Sequence, residues 1–189
     1  MESVLVVSGT DKGAAYFTDL LNMASVSHIT LSQSCSHARR LLLDRDFDLI
    51  IINAPLRDES GERLARDIAS KGVSQVMLIV KSEFFDAVSA VCENDGVLMV
   101  AKPVNKTIFW SAFMFAKSAG NRIKRMQAEN ERLKQKIEDI RITDRAKCIL
   151  ISRMSMSEQE AHRYIEKQAM DMRSTKREIA EGILKTYEY

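Results

Sequence analysis

The run Asp48-Leu49-Ile50-Ile51-Ile52-Asn53 sets the fold class. Four consecutive aliphatic side chains between polar ends read as a strand buried on both faces, as in a parallel sheet covered by helices. Working outward, similar short runs recur at Val4-Leu5-Val6-Val7, His28-Ile29-Thr30-Leu31, Val76-Met77-Leu78-Ile79-Val80 and 97–101. The segments between them carry apolar residues at helical spacing: Tyr16, Leu20 and Met23 within 11–24, and Ala38, Leu41 and Leu42 within 36–45. Two further helices are expected near 62–71 and 84–94. Five strands alternating with helices over residues 1–105 specify a doubly wound α/β domain with a five-stranded parallel sheet.

Composition narrows the function classes. The 189 residues are 46% hydrophobic and 29% charged, enough to bury a core. No run approaches the roughly 18 apolar residues of a membrane span, and Met1-Glu2-Ser3 carries no basic region, which reads against a signal peptide. Cys35, Cys92 and Cys148 share no metal-ligand spacing, and His28, His37 and His162 add no cluster. We therefore expect reduced thiols, a cytoplasmic location, no metal and no cofactor.

After Pro103 the pattern changes. Residues 106–143 contain no proline and only one glycine, Gly120. Ile123, Met126, Asn130, Leu133, Ile137 and Ile140 alternate steps of three and four, a heptad seam with Asn130 at an a position. Glu129 and Lys134 occupy g and e positions that pair across parallel chains, whereas Lys136 and Arg141 would repel. The expectation is a linking helix and a coiled coil that makes a homodimer. Residues 144–189 read as three helices forming a small bundle. Ser157-Glu158-Gln159-Glu160 and Thr175-Lys176-Arg177-Glu178 have the form of capping boxes and place helix starts near 158 and 176. The apolar faces are Ala146, Ile149 and Leu150; then Ala161, Tyr164, Ile165 and Ala169; then Ile179, Ala180, Ile183 and Leu184.

The α/β part resembles the receiver domain of bacterial response regulators. The resemblance rests on residues 48–53, on Gly61 eight residues beyond Asn53, and on Lys102-Pro103 after the fifth strand. It implies an acidic pair for Mg²⁺ after the first strand and a phosphoryl-accepting aspartate ending the third. It also implies a hydroxyl residue after the fourth strand and a lysine after the fifth. Here the first strand ends in Ser8-Gly9-Thr10, the acceptor position is Asn53, and Lys81 with Ser82 follows the fourth strand. Only Lys102 is retained, and it reads as a structural or surface group, with the bond to Pro103 a candidate for cis. An amide is no nucleophile at neutral pH, and a hard dication lacks its carboxylates. The expectation is a pseudo-receiver that accepts no phosphoryl group and is controlled by a regulatory protein or ligand.

The C-terminal part resembles the ANTAR domain of transcription antitermination regulators. Ile142-Thr143-Asp144-Arg145-Ala146-Lys147-Cys148-Ile149-Leu150-Ile151 is followed by Met156-Ser157-Glu158-Gln159-Glu160-Ala161 and then Gln168-Ala169-Met170. These match the family's core, its S-E-x-E-A segment and its A-M pair, with Cys148 where the family has glycine. The resemblance implies binding to paired RNA stem-loops in leader transcripts. It puts Arg145, Ala146 and Lys147 at the interface, Ala146 as a small residue permitting close packing. Arg173, Lys176 and Arg177 surround the start of the last helix, where exposed N–H groups also favour phosphate.

Charge supports this modestly. Residues 121–189 hold 16 Lys and Arg against 12 Asp and Glu, while residues 1–120 hold 12 against 14. Two other readings stay open: a dimeric protein–protein adaptor, and a DNA-binding response regulator. The second would want a glycine-containing turn and a basic recognition helix, and the 153–157 connection has no glycine. No nucleophile–base pair or phosphate loop points to an enzyme.

Overall fold

A computed structural model describes residues 1–187. The chain divides into two compact units, Met1–Lys124 and a second from Arg125 onward. In the first, β1 (Ser3–Ser8), β2 (His28–Ser32), β3 (Leu49–Asn53), β4 (Gln75–Lys81) and β5 (Leu98–Lys102) form one sheet. The spatial order is β2-β1-β3-β4-β5, and every pair is parallel. Register places Ser8 beside Asn53 and Lys81 beside Lys102, so the chemistry-bearing residues gather at the carboxyl ends of the central strands.

Side-chain alternation splits the strands between two cores. Leu5, Val7, Ile50, Ile52, Leu78 and Val80 face α2 (Cys35–Asp44), α3 (Glu62–Ala69) and α4 (Phe85–Cys92). Val4, Val6, Leu49, Ile51, Met77 and Ile79 face α1 (Asp11–Met23) and the start of α5 (Lys106–Met154). The helices begin where the sequence offers caps. Thr10 Oγ1 accepts the Gly13 N–H and Ser34 Oγ the His37 N–H. Gly61 opens α3 at φ 93°, and a Cβ there would sit 3.0 Å from Ile52 Cγ2, so glycine satisfies both backbone and packing.

The boundary expected at residue 105 is corrected. Phe109, Phe113 and Ala116 of α5 are buried against the sheet, with Phe109 centred 6.0 Å from Phe17 and 5.9 Å from Phe113. Residues 106–124 are therefore the last helix of the α/β domain, covering a face that α1 alone leaves open. A stretch without proline and with Gly120 as its one glycine reads equally as a linker helix or a packed one; the uncovered face of the sheet decides between them. The expected boundary between 143 and 144 is likewise no break, because α5 continues as one helix to Met154.

The foot of α5 is tied to the domain by charge. Asp48 Oδ2 accepts the Glu2 and Ser3 N–H groups at 2.6 and 3.2 Å, and Lys124 Nζ lies 2.5 Å from Oδ1. Burial alone would raise the Asp48 pKa, but Lys124 and the two N–H groups outweigh it and lower it to about 2. Since the folded value lies below the ordinary carboxylate range, the stabilisation is present above about pH 4 and lost as pH falls toward 2; it is worth about 2 kcal/mol. Asp48→Asn should flatten the acid limb of the melting-temperature profile over that window. An unchanged profile would remove this role for the pair.

In the second unit, α6 (Glu158–Asp171) and α7 (Lys176–Tyr187) pack on the end of α5. Ile142, Ala146, Leu150, Ala161, Ile165, Ala180 and Leu184 form the core. Both helix starts agree with the sequence reading. Ser157 and Glu160 make a reciprocal capping box, and Thr175 and Glu178 exchange N–H bonds at 2.8 and 3.2 Å. Tyr164, read as part of the apolar face, is instead exposed at the rim, while Ala169 is buried.

Candidate nucleic-acid interface and N-terminal pocket

At the carboxyl end of the sheet, Asn53 Nδ2 donates to Ser8 Oγ at 3.1 Å, and Ser8 Oγ donates to the Thr10 carbonyl at 3.1 Å. Gly13 permits this pairing, since a Cβ there would lie 2.5 Å from Asn53 Nδ2 and 2.6 Å from Ser8 Oγ. Lys102 Nζ donates to the Ala54 carbonyl at 2.5 Å, and Ser82 Oγ donates to the Lys102 carbonyl. Arg57 Nε donates to the Gly9 carbonyl at 2.8 Å. Asp11, the one acidic residue near the end of β1, accepts from Gln33 Nε2 at 3.0 Å. Peptide bonds Ala54-Pro55 and Lys102-Pro103 are cis.

This donor set does not fit Mg²⁺. Two hydroxyls, an amide, a guanidinium and ammonium groups occupy the place where a hard dication requires anionic oxygens. The sequence-derived positions Asn53 and Lys102 do converge on one pocket. Lys102 is half-buried rather than a surface group, and burial followed by repulsion from Lys81 pushes its pKa down. A second polar group, Cys35 with Asp58 and Glu59, brings possible ligand atoms together. Its oxygens are engaged: Asp58 accepts the Cys35 and Ser36 N–H groups at 2.9 Å each, and Glu59 holds Arg39. Burial, then the two carboxylates, push the Cys35 thiol up to about 11, so the group works as a helix cap.

In the helical unit the six candidate contact residues separate. Ala146 is fully buried in the bundle core and offers no surface to a ligand, which corrects its placement at the interface. A larger side chain there would hold α5 off α6 and α7. Lys147 Nζ lies 2.8 Å from Asp144 and 3.6 Å from Glu158, with the side chain only 16% exposed. Asp144, then Glu158, raise its pKa. Lys176 Nζ reaches Glu166 of α6 at 2.5 Å, and Arg177 bridges Asp139 and Glu181 at 2.8 Å each. These three cations brace one helix against another or against their own turn. Arg145 is exposed on α5. Arg173 is exposed in the turn after α6 at φ 50°, and makes no ion pair among the described residues.

Two cations were missed. Arg163 and Lys167 lie four residues apart on the face of α6 opposite Ala161, Ile165 and Ala169, and both are exposed. The signal was present in their i,i+4 spacing away from the apolar stripe. Cys148, at the family's glycine position, is a free and exposed thiol.

Among the seam residues, Ile123 is half-buried in the first unit, whereas Met126, Asn130, Leu133, Ile137 and Ile140 are exposed. The bundle-facing stripe Ile142, Ala146 and Leu150 falls on heptad positions f, c and g. The a and d face is therefore left uncovered by the chain's own bundle.

Comparison with known proteins agrees with both halves. The ANTAR domain family matches residues 131–184. The chain is 27% identical over 139 residues to the transcriptional regulatory protein PdtaR of Mycobacterium tuberculosis, covering 74% of this chain and 68% of that protein. The first unit shares the fold of a signal receiver domain from Pseudomonas fluorescens (TM-score 0.56, 20% identity, 69% of this chain and 93% of that one). It is similarly close to the chemotaxis response regulator CheY4 of Vibrio cholerae (TM-score 0.54, 14% identity, 61% and 98%). Among the described residues, no helix is long and apolar enough to cross a membrane. With the helical match lying over the α5–α7 bundle and the sheet order being that of receivers, the chain carries an ANTAR domain after a receiver-like α/β domain.

Proposed function

We propose that this protein is a homodimeric antiterminator that binds paired stem-loops in leader transcripts and is regulated without phosphorylation of its receiver-like domain. It acts by binding, with no catalytic step of its own. The observation that carries the reading is the uncovered apolar face of α5 leading directly into an ANTAR bundle. A coiled coil there places two bundles together, and two linked sites bind two hairpins with an avidity that neither bundle has alone. Arg163, Lys167 and Arg173 are exposed cations of the bundle that face phosphates, whereas Lys147, Lys176 and Arg177 already hold carboxylates; Arg145 is exposed at the family's motif position.

A gel shift with twin-hairpin RNA, single-hairpin RNA and duplex DNA, titrated with salt, tests this reading. Tight binding to the twin hairpin alone supports it; equal binding to duplex DNA, or no binding to RNA, refutes it. Arg163→Ala and Arg173→Ala should each weaken binding and lower the salt slope by about 1, with unchanged melting. Lys147→Ala is a poorer probe, since it also unties Asp144 and Glu158 and should lower the melting temperature.

The receiver-like domain should take no label from acetyl phosphate with Mg²⁺. Asn53→Asp should not restore labelling, because Ser8, Gly9 and Thr10 still provide no carboxylates. Robust labelling of the wild-type chain, read as an intact-mass increase, would overturn phosphorylation-independent control.

A further inference from the structure

Beside the Asn53–Ser8 pair lies a cavity of about 460 Å³, lined by Thr10, Lys12, Tyr16, Asn53, Lys102 and Val104 among others. Two lysines and no carboxylate line it. The nearby acids are committed elsewhere, Asp11 to Gln33 and Glu83 to Lys81 at 3.2 Å. Among the described residues neither Lys12 nor Lys102 forms an ion pair. Lys102 Nζ meets only the neutral Ala54 carbonyl, leaving two of an ammonium's three donors available. The half-buried cation thus lacks a counter-ion, an arrangement that costs stability unless an anion supplies one.

Two further observations make the cavity a site rather than a stray charge. The 13-residue α1 begins at its edge, with Thr10 as the cap, so the positive end of the helix dipole adds to both lysines. The other wall is apolar, formed by Tyr16, Phe17, Ile79 and Val104, with Tyr16 Oη bonded to the Val104 carbonyl at 2.8 Å. The volume exceeds that of a bare phosphate and falls within the range of small-molecule sites.

We propose that this cavity binds a small organic phosphate without forming a covalent bond. Its phosphoryl oxygens meet Lys102 and Lys12, and its organic part lies against Tyr16 and Val104. No metal ion is required, because the cations already present neutralise the ligand. The inference names the ligand class for the phosphorylation-independent control proposed above and rests on that reading.

The test is calorimetry on the full chain in a chelating buffer, with phenyl phosphate as the probe and phenol and inorganic phosphate as controls. Saturable binding of phenyl phosphate is expected, weaker binding of inorganic phosphate and none of phenol. Lys102→Gln and Lys12→Gln should each weaken phenyl phosphate binding about tenfold, the loss of one charge-assisted contact. Lys12 is exposed, so its variant remains informative even if Lys102→Gln lowers the melting temperature. No saturable binding, or undiminished binding in Lys12→Gln, overturns the proposal. Intact mass after acetyl phosphate treatment reports separately on the reading beneath it: an adduct on the wild-type chain defeats that reading, whereas failed calorimetry without an adduct defeats this site alone.

Discussion

Replacing Leu133 and Ile137 by lysine is expected to convert the proposed dimer to a monomer and to weaken twin-hairpin RNA binding by about 10²-fold or more, the avidity lost when two linked sites separate. These positions are the d and a knobs in the middle of the seam, and both are exposed in the single chain. A coiled coil of about three heptads has little redundancy, so two buried lysines per chain remove its driving force. The bundle should survive, because its α5 contacts are Ile142, Ala146 and Leu150 on another face of the helix. Sedimentation reports the monomer, circular dichroism the retained helices, and gel shift the affinity. Single-hairpin affinity should not move. A monomeric variant with full twin-hairpin affinity would defeat the dimer reading, whatever the fate of the RNA assignment.

Phe109→Ala should destabilise the α/β domain by about 3–5 kcal/mol, the usual range for a large aromatic deleted from a packed core. Phe109 is fully buried between Phe17 and Phe113, and the face of the sheet it covers carries Val4, Val6, Leu49, Ile51, Met77 and Ile79. Against a total stability of about 5–15 kcal/mol for a domain, this is a large fraction. By the same argument a fragment ending at residue 105 should fail to give a cooperative melt, while one ending at Lys124 should fold. If the shorter fragment folds as well as the longer, the start of α5 is a linker after all.

How much was legible in the sequence differs between the two units. The strands were readable because each is a short aliphatic run with polar ends, and parallel strands buried on both faces carry little else. Helix starts at Glu158 and Lys176 were readable because a capping box is local: a span of four residues suffices to make both bonds. The missing receiver chemistry was also local, since Ser8-Gly9-Thr10 and Asn53 contain no carboxylate wherever they are placed. The role of residues 106–124 was not legible. Phe109, Phe113 and Ala116 carry a helical spacing that suits a sheet-facing helix or a linker, and only the uncovered face of the sheet decides between them.

The candidate contacts show the same division. Residue type and motif position drew attention to Arg145, Ala146, Lys147, Arg173, Lys176 and Arg177, but a charge in a sequence has no partner until the chain folds. Packing buried Ala146, placed Asp144 and Glu158 around Lys147, Glu166 against Lys176, and Asp139 against Arg177. It also gathered Lys12 and Lys102, ninety residues apart, around one cavity without a carboxylate. What residue order alone settled was periodicity, capping and the absence of particular functional groups, all properties of neighbours along the chain. What needed the tertiary structure was which apolar face is covered and which cation is already neutralised, because both depend on side chains that are distant in sequence and meet only when the core closes.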